Sequence, residues 1–179
     1  MHLLKFYLKV VDKFQYFRRG EDQFMEDKRL KDFLDIAIQR EIEAFEFYSE
    51  LSAKVADKQA KDTIRTLAGE EKKHRAFLED YRDGKVAAGS LRMNQVVDYR
   101  IAEHMDKPAT DTAIKSSEAY LLAAHREKAS HDFYKALADI HPEGPVKDML
   151  LLMASEEMKH KEKVEYLYSN TAFAQTDGG

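Results

Sequence analysis

Apolar residues recur at intervals of three and four along four long stretches of the chain. That is the period of an amphipathic helix and not of a strand. The spacing predicts helices over about Lys28 to Val55, Lys58 to Tyr81, Thr112 to Asp139 and Pro145 to Tyr168. Pro145 follows Gly144 and suits the first position of a helix, where a missing N–H costs nothing. His141-Pro142-Glu143-Gly144 is then a short turn. Arg82 to Asp111 carries Gly84, Gly89 and Pro108 and only a partial apolar pattern through Leu91, Met93, Val96, Val97, Tyr99 and Ile101. It is too long for a hairpin and reads as a crossover. Two short connections flanking a long one predict an all-α fold, a four-helix bundle with a long crossover between its second and third helices.

Composition agrees. The 179 residues contain 7 glycines and 3 prolines, too few for the many tight turns of an all-β fold. One domain is the default at this length, and 44% hydrophobic residues supply a core for it. The sequence divides into an N-terminal extension over residues 1–27, the bundle over 28–168 and a small, polar, flexible tail over 169–179. A net charge of −4 lacks the basic excess that nucleic-acid binding needs, so no nucleic-acid partner is expected. Without cysteine there is no disulfide, thiolate nucleophile, Cys-ligated zinc or rubredoxin-type iron centre within this sequence. No stretch approaches the roughly 20 apolar residues of a membrane span, and the expected location is the cytoplasm.

The N-terminal stretch Met1 to Arg19 sets Leu3, Leu4, Phe6, Tyr7, Val10, Val11, Phe14 and Phe17 among five basic residues. It predicts an extra amphipathic helix, suited to contact with another subunit in a homodimer or larger homo-oligomer, or to an anionic membrane surface.

An internal repeat carries the functional signal. Ala37, Arg40, Glu41, Phe47, Tyr48 and Leu51 recur as Ala123, Arg126, Glu127, Phe133, Tyr134 and Leu137, an offset of 86 residues. The same offset carries Glu70, Glu71, Lys73 and His74 onto Glu156, Glu157, Lys159 and His160 without a gap, as in a duplicated helical hairpin. Glu41 falls in the apolar register Leu34, Ala37, Ile38, Phe45, Tyr48, and Glu127 in the register Tyr120, Ala123, Ala124, Tyr134, Leu137. Glu71 and His74 share a face with Ile64, Leu67 and Leu78, and Glu157 and His160 with Leu150, Met153, Val164 and Leu167. Other acidic residues, among them Glu43, Glu46, Glu50, Glu70, Glu79, Glu156, Glu162 and Glu165, fall off these registers and read as solvated faces.

Four inward carboxylates in one core cost several kcal/mol each unless compensated, and no inward Lys or Arg stands out to do it. Metal ions account for them. Two Glu-x-x-His helices and two single-Glu helices form the six-ligand pattern of di-iron and di-manganese carboxylate bundles. Four carboxylates and two neutral imidazoles total −4, which two divalent cations balance. The mixed oxygen and imidazole donors favour iron or manganese over calcium or magnesium, and zinc also fits.

These residues resemble the ligand set of the ferritin-like di-iron superfamily, most closely the rubrerythrins, over about Lys28 to Tyr168. The resemblance implies a ferritin-like bundle in which Glu71 and Glu157 bridge the metals and Glu41, Glu127, His74 and His160 are terminal ligands. Tyr48 and Tyr134 resemble tyrosines that hydrogen-bond ligand carboxylates in this family; as residues they read equally as core tyrosines. The implied activity is that of a di-iron oxidoreductase reducing hydrogen peroxide or dioxygen, with electrons from an external donor. Rubrerythrins carry a further glutamate three residues after the third-helix ligand, where this chain has Ser130. The remaining set is equally similar to the ferroxidase centre of bacterioferritins, which oxidise and store Fe(II). His131, four residues after Glu127, is a further candidate ligand.

Overall fold

The computed structural model describes residues 30–87, 98–109 and 113–172. The chain divides into two compact units, residues 1–37 and 38–179. Of the first, residues 30–37 are described; they are helical, with Leu34 and Ala37 buried. The expected N-terminal extension over 1–27 lies outside the described residues.

The second unit is built from helices. Helix α1 occupies residues 30–54 and so enters this unit at Ile38. It is followed by α2 (Lys58–Arg82), the short α3 (Ile101–His104), α4 (Ser116–Ile140) and α5 (Pro145–Ala172). The ends have local causes. Asp57 caps α2 by accepting from the Ala60 N–H at 2.8 Å, an interaction worth about 1 kcal/mol. The other end of α2 closes as a Schellman motif, with the Gly84 N–H on the Tyr81 carbonyl and the Lys85 N–H on that of Asp80. Gly84 takes the left-handed φ of 71° that this ending requires. Pro145 opens α5 as its sequence position predicts.

Topology follows from pairings across the bundle. His74 meets Glu157 and Glu71 meets His160, so α2 and α5 run antiparallel. Tyr48 bonds Glu127 and Tyr134 bonds Glu41, so α1 and α4 do too. Short turns make α1–α2 and α4–α5 antiparallel hairpins, so α2 and α4 point the same way and the connection between them must travel the length of the bundle. That is the expected crossover. It returns as a buried parallel bridge between Val55 and Ile114, two β-branched residues that meet where α1 ends and α4 is about to begin.

The details depart from the sequence expectations in four places. Residues 113–115 are extended, so α4 starts at Ser116 and not near Thr112. Helix α5 continues to Ala172, past the boundary expected at Tyr168, with the Ser169 and Thr171 hydroxyls bonded to carbonyls one turn back. The crossover contains α3, whose Ala102 is buried in the apolar core. Glu165, expected on a solvated face, is fully buried: it accepts the Ala102 N–H at 2.9 Å and lies 3.2 Å from the ammonium of the equally buried Lys161. Lys161 also reaches Asp98 at 2.5 Å and Glu103 at 3.1 Å, which ties the crossover to α5.

A core that includes Leu51, Val55, Ile64, Leu67, Leu122 and Val164 fills one end of the bundle. Leu78, Ala138, Met149, Leu150 and Met153 are buried one to several turns away, towards the other end. The polar cluster described next lies between these levels.

Candidate metal centre

Each of the four long helices contributes to one buried cluster. Glu41 comes from α1, Glu71 and His74 from α2, Glu127 from α4, and Glu157 and His160 from α5. The structure brings together all six residues that the repeat singled out. The carboxylate side chains are 0–2% exposed and those of His74 and His160 7% and 12%. Both imidazoles turn Nδ1 inward. His74 Nδ1 lies 3.0 Å from Glu157, 3.6 Å from Glu71 and 3.7 Å from Glu41. His160 Nδ1 lies 3.7 Å from Glu127, 3.9 Å from Glu71 and 4.0 Å from Glu157. The two rings stack with centroids 5.3 Å apart. Glu71, His74, Glu157 and His160 each offer a donor atom within 4.8 Å of the others.

Tyr48 and Tyr134 complete the arrangement by crossing it. The hydroxyl of Tyr48 on α1 donates to Glu127 on α4, and that of Tyr134 on α4 donates to Glu41 on α1. Both tyrosines are fully buried. Burial and then the neighbouring carboxylates, Glu127 for Tyr48 and Glu41 for Tyr134, push their hydroxyls well above the usual tyrosine range, so each stays a donor. The choice left open by the sequence, core tyrosine or hydrogen-bond partner, resolves into both.

These bonds sort the carboxylates into two kinds. Glu41 and Glu127 each have one oxygen held by a tyrosine and one buried oxygen with no hydrogen-bond partner. Glu71 and Glu157 have both oxygens buried without a hydrogen-bond partner, and Nδ1 of His74 and of His160 is likewise without one. Buried polar atoms are nearly always satisfied, and here eight unsatisfied ones belong to a single cluster.

The electrostatics are those of six ionisable groups packed together in a low-dielectric core. Burial pushes Glu157 up to about 8. Burial, followed by the charges of Glu157 and Glu127, holds Glu71 well above the carboxylate range. Burial opposes ionisation of Glu41 and Glu127 too, yet His74 beside the first and His160 beside the second keep both below that range. His74 is raised well above the usual imidazole value, the carboxylates led by Glu157 outweighing burial, and His160 is raised mainly by Glu127. In the absence of a metal, protons must occupy part of this cluster.

His131 is not part of it. Its Nδ1 lies 2.9 Å from the Ala154 carbonyl, which fixes the ring against α5. Ser130 is buried at the position where rubrerythrins carry a further glutamate. Sequence reasoning missed the second charge cluster, Asp98, Glu103 and Glu165, whose oxygens also gather within 4.8 Å. There the Lys161 ammonium lies 2.5–3.2 Å from all three carboxylates and takes the place a cation would need. A signal for Lys161 existed: it continues the apolar register Leu150, Met153, Glu157, Val164, Tyr168 along α5.

Comparison with known proteins agrees with this geometry. The rubrerythrin family model matches residues 8–84, a span that contains Glu41, Tyr48, Glu71 and His74. A hypothetical protein from Pyrococcus furiosus of known structure is similar with a TM-score of 0.57 at 25% identity, over 82% of this chain and 92% of that one. No curated protein matches the sequence significantly. The chain is thus rubrerythrin-like over residues 8–84, and its described helices form an all-α bundle of the ferritin-like kind. Among the described residues no helix is long and apolar enough to cross a membrane.

Proposed function

We propose that this rubrerythrin-like chain is a non-haem di-iron oxidoreductase, holding two iron ions on Glu41, Glu71, His74, Glu127, Glu157 and His160 and reducing hydrogen peroxide or dioxygen. One observation carries the reading. Six side chains from four helices converge with eight buried ligand atoms that, among the described residues, no hydrogen bond satisfies, and within those residues the ion pairs of these carboxylates are with the two imidazoles. A formal −4 from the carboxylates fits two divalent cations, and oxygen with imidazole donors suits iron, with manganese and zinc as competitors.

When bound, a pair of iron ions supplies two electrons to a small oxidant. The chain supplies the rest. Both oxygens of Glu71 and Glu157 are unengaged, which supports a bridging role for these two, and the tyrosine bonds would leave Glu41 and Glu127 one oxygen each for terminal ligation. Tyr48 and Tyr134 lock those carboxylates in place and keep a proton at the margin of the site. The apolar residues at both ends exclude bulk water. Electrons are supplied from outside the bundle, whose residues include no cysteine.

The test is turnover by iron-loaded protein with an artificial reductant, hydrogen peroxide and dioxygen being supplied separately. One of the two should be consumed catalytically by the wild type, and Glu71→Ala or Glu157→Ala should abolish that consumption. Full turnover in either variant would overturn the assignment. A second reading, Fe(II) oxidation for storage, is favoured by Ser130 at the position where a fifth carboxylate would stand. It is distinguished by stoichiometric Fe(II) oxidation with mineral formation in a closed shell of many subunits.

A further inference from the structure

The 86-residue offset extends beyond the helices that hold the site. Val10-Val11-Asp12 recurs as Val96-Val97-Asp98 at the same spacing. The six site residues already fix that spacing, so the match owes nothing to sliding one sequence along the other. The offset also carries Arg75 and Glu79 of α2 onto Lys161 and Glu165 of α5. Each helix therefore has a basic residue directly after its histidine and a glutamate one turn further on.

The two pairs are covered differently. On α5 the crossover closes over Lys161 and Glu165: Asp98 lies 2.5 Å from the Lys161 ammonium, Glu165 accepts the Ala102 N–H, and neither side chain has exposed surface. On α2, Arg75 bonds Glu79 at 2.9 Å, and the two side chains are 47% and 34% exposed in the single chain. The crossover leads into α4 as the N-terminal residues lead into α1, so the counterpart of Asp98 is Asp12. The sequence thus supplies a cover for the α2 pair, yet in the single chain that pair is open. Residues 1–37, which contain Asp12, make a compact unit of their own, distinct from the unit that contains α2.

We propose that Arg75 and Glu79 form a docking surface for the Val10–Asp12 segment of a second copy of this chain, Asp12 pairing with Arg75 as Asp98 pairs with Lys161. The open α2 pair and the separate N-terminal unit select the second copy as the source. Exchange is reciprocal: each copy offers one segment and one α2 face, which closes a symmetric dimer with no unfilled face left over. Such an exchange is a low-cost route to a dimer, because the contact it makes between chains has its pattern within the chain, on α5. Arg75 and Glu79 lie outside the proposed ligand set, so the inference does not depend on the metal-centre reading.

The experiment is sedimentation of the full-length protein over a range of concentrations, with the charge reversals Asp12→Lys and Arg75→Asp. The wild type should dimerise. Either variant alone sets like charge against like at both contacts of its dimer, and its dissociation constant should rise about tenfold or more. Mixed in equal amounts, the two variants should recover the wild-type constant, since a mixed dimer contains one native pair and one pair with its charges exchanged. Both substitutions in one chain should recover it too. A monomeric wild type would overturn the proposal, and so would single variants that dimerise as tightly as the wild type. Recovery in the doubly substituted chain but not in the mixture would place the contact within one chain and overturn the exchange. Recovery in neither would overturn the pairing itself, since damage to the fold would then account for the loss.

Discussion

Glu157 and Glu165 lie two turns apart on α5, both with no exposed surface, and both sit among other carboxylates. Around Glu165 the chain supplies its own cation: Lys161 reaches Glu165, Asp98 and Glu103, and the Ala102 N–H takes up more of the charge. Around Glu157 there are three further carboxylates and two imidazoles, and among the described residues no Lys or Arg pairs with them. A carboxylate buried for structure is paired within the fold, whereas one buried for a ligand is left for the ligand to pair. The first cluster fastens the crossover to α5; the second is a site.

Removing the internal cation should erase the difference at a large cost. Lys161→Met leaves Glu165 buried without its cation and releases Asp98 and Glu103, and breaking a buried pair from one side costs about 3–5 kcal/mol. Denaturant titration of the metal-free variant should show a loss of that size, with proteolysis faster between residues 83 and 115. An unchanged midpoint would mean that the Lys161 cluster does not secure the crossover.

A smaller effect separates the clusters by pH. His74 is raised well above 6.5 in the fold, so its stabilising contribution is complete below about pH 6.5 and is lost as pH rises through its folded value. Glu157 is shifted from 4.5 to about 8, so the folded state keeps a proton that the unfolded chain releases, and stability falls between those values as pH rises. Lys161 is raised from 10.5, burial being outweighed by Asp98 and Glu103, and Asp98 is lowered from 3.8 chiefly by Lys161 against burial. Those contributions are lost only above the first value and below the second. The metal-free protein should therefore lose thermal stability from pH 6 to pH 9 through the His74–Glu157 cluster alone. Metal affinity rises over the same window as the ligands deprotonate, so the Tm difference between loaded and metal-free protein should widen with pH. A Tm gap that narrows from pH 6 to pH 9 would contradict this.

Much of this was legible in the sequence, for identifiable reasons. Helical periodicity located the four long helices, and the 86-residue offset taken together with the apolar registers set Glu41, Glu71, His74, Glu127, Glu157 and His160 apart from thirty-odd other charged residues that share their helices. The crossed bonds of Tyr48 and Tyr134 were legible only as candidates, because a hydroxyl's partner depends on which helices become neighbours. Glu165 was misassigned for a related reason. Its face of α5 is apolar-poor, and what covers it is α3, four residues of a segment with weak periodicity whose docking is decided by Lys161 and not by local propensity. His131 shows the same dependence on neighbours, since its Nδ1 lies beside a backbone carbonyl of the next helix.

The central claim is that the unsatisfied cluster is a two-metal site. Its most direct test is elemental analysis of full-length protein loaded anaerobically with Fe(II) and desalted, with Tm recorded before and after loading. The account predicts two irons per chain and a raised Tm, since a ligand at a thousand times its Kd stabilises by about 4 kcal/mol per site. No bound iron, with none of manganese or zinc taken up in its place and no change in Tm, would contradict it and leave four buried carboxylates without a cation.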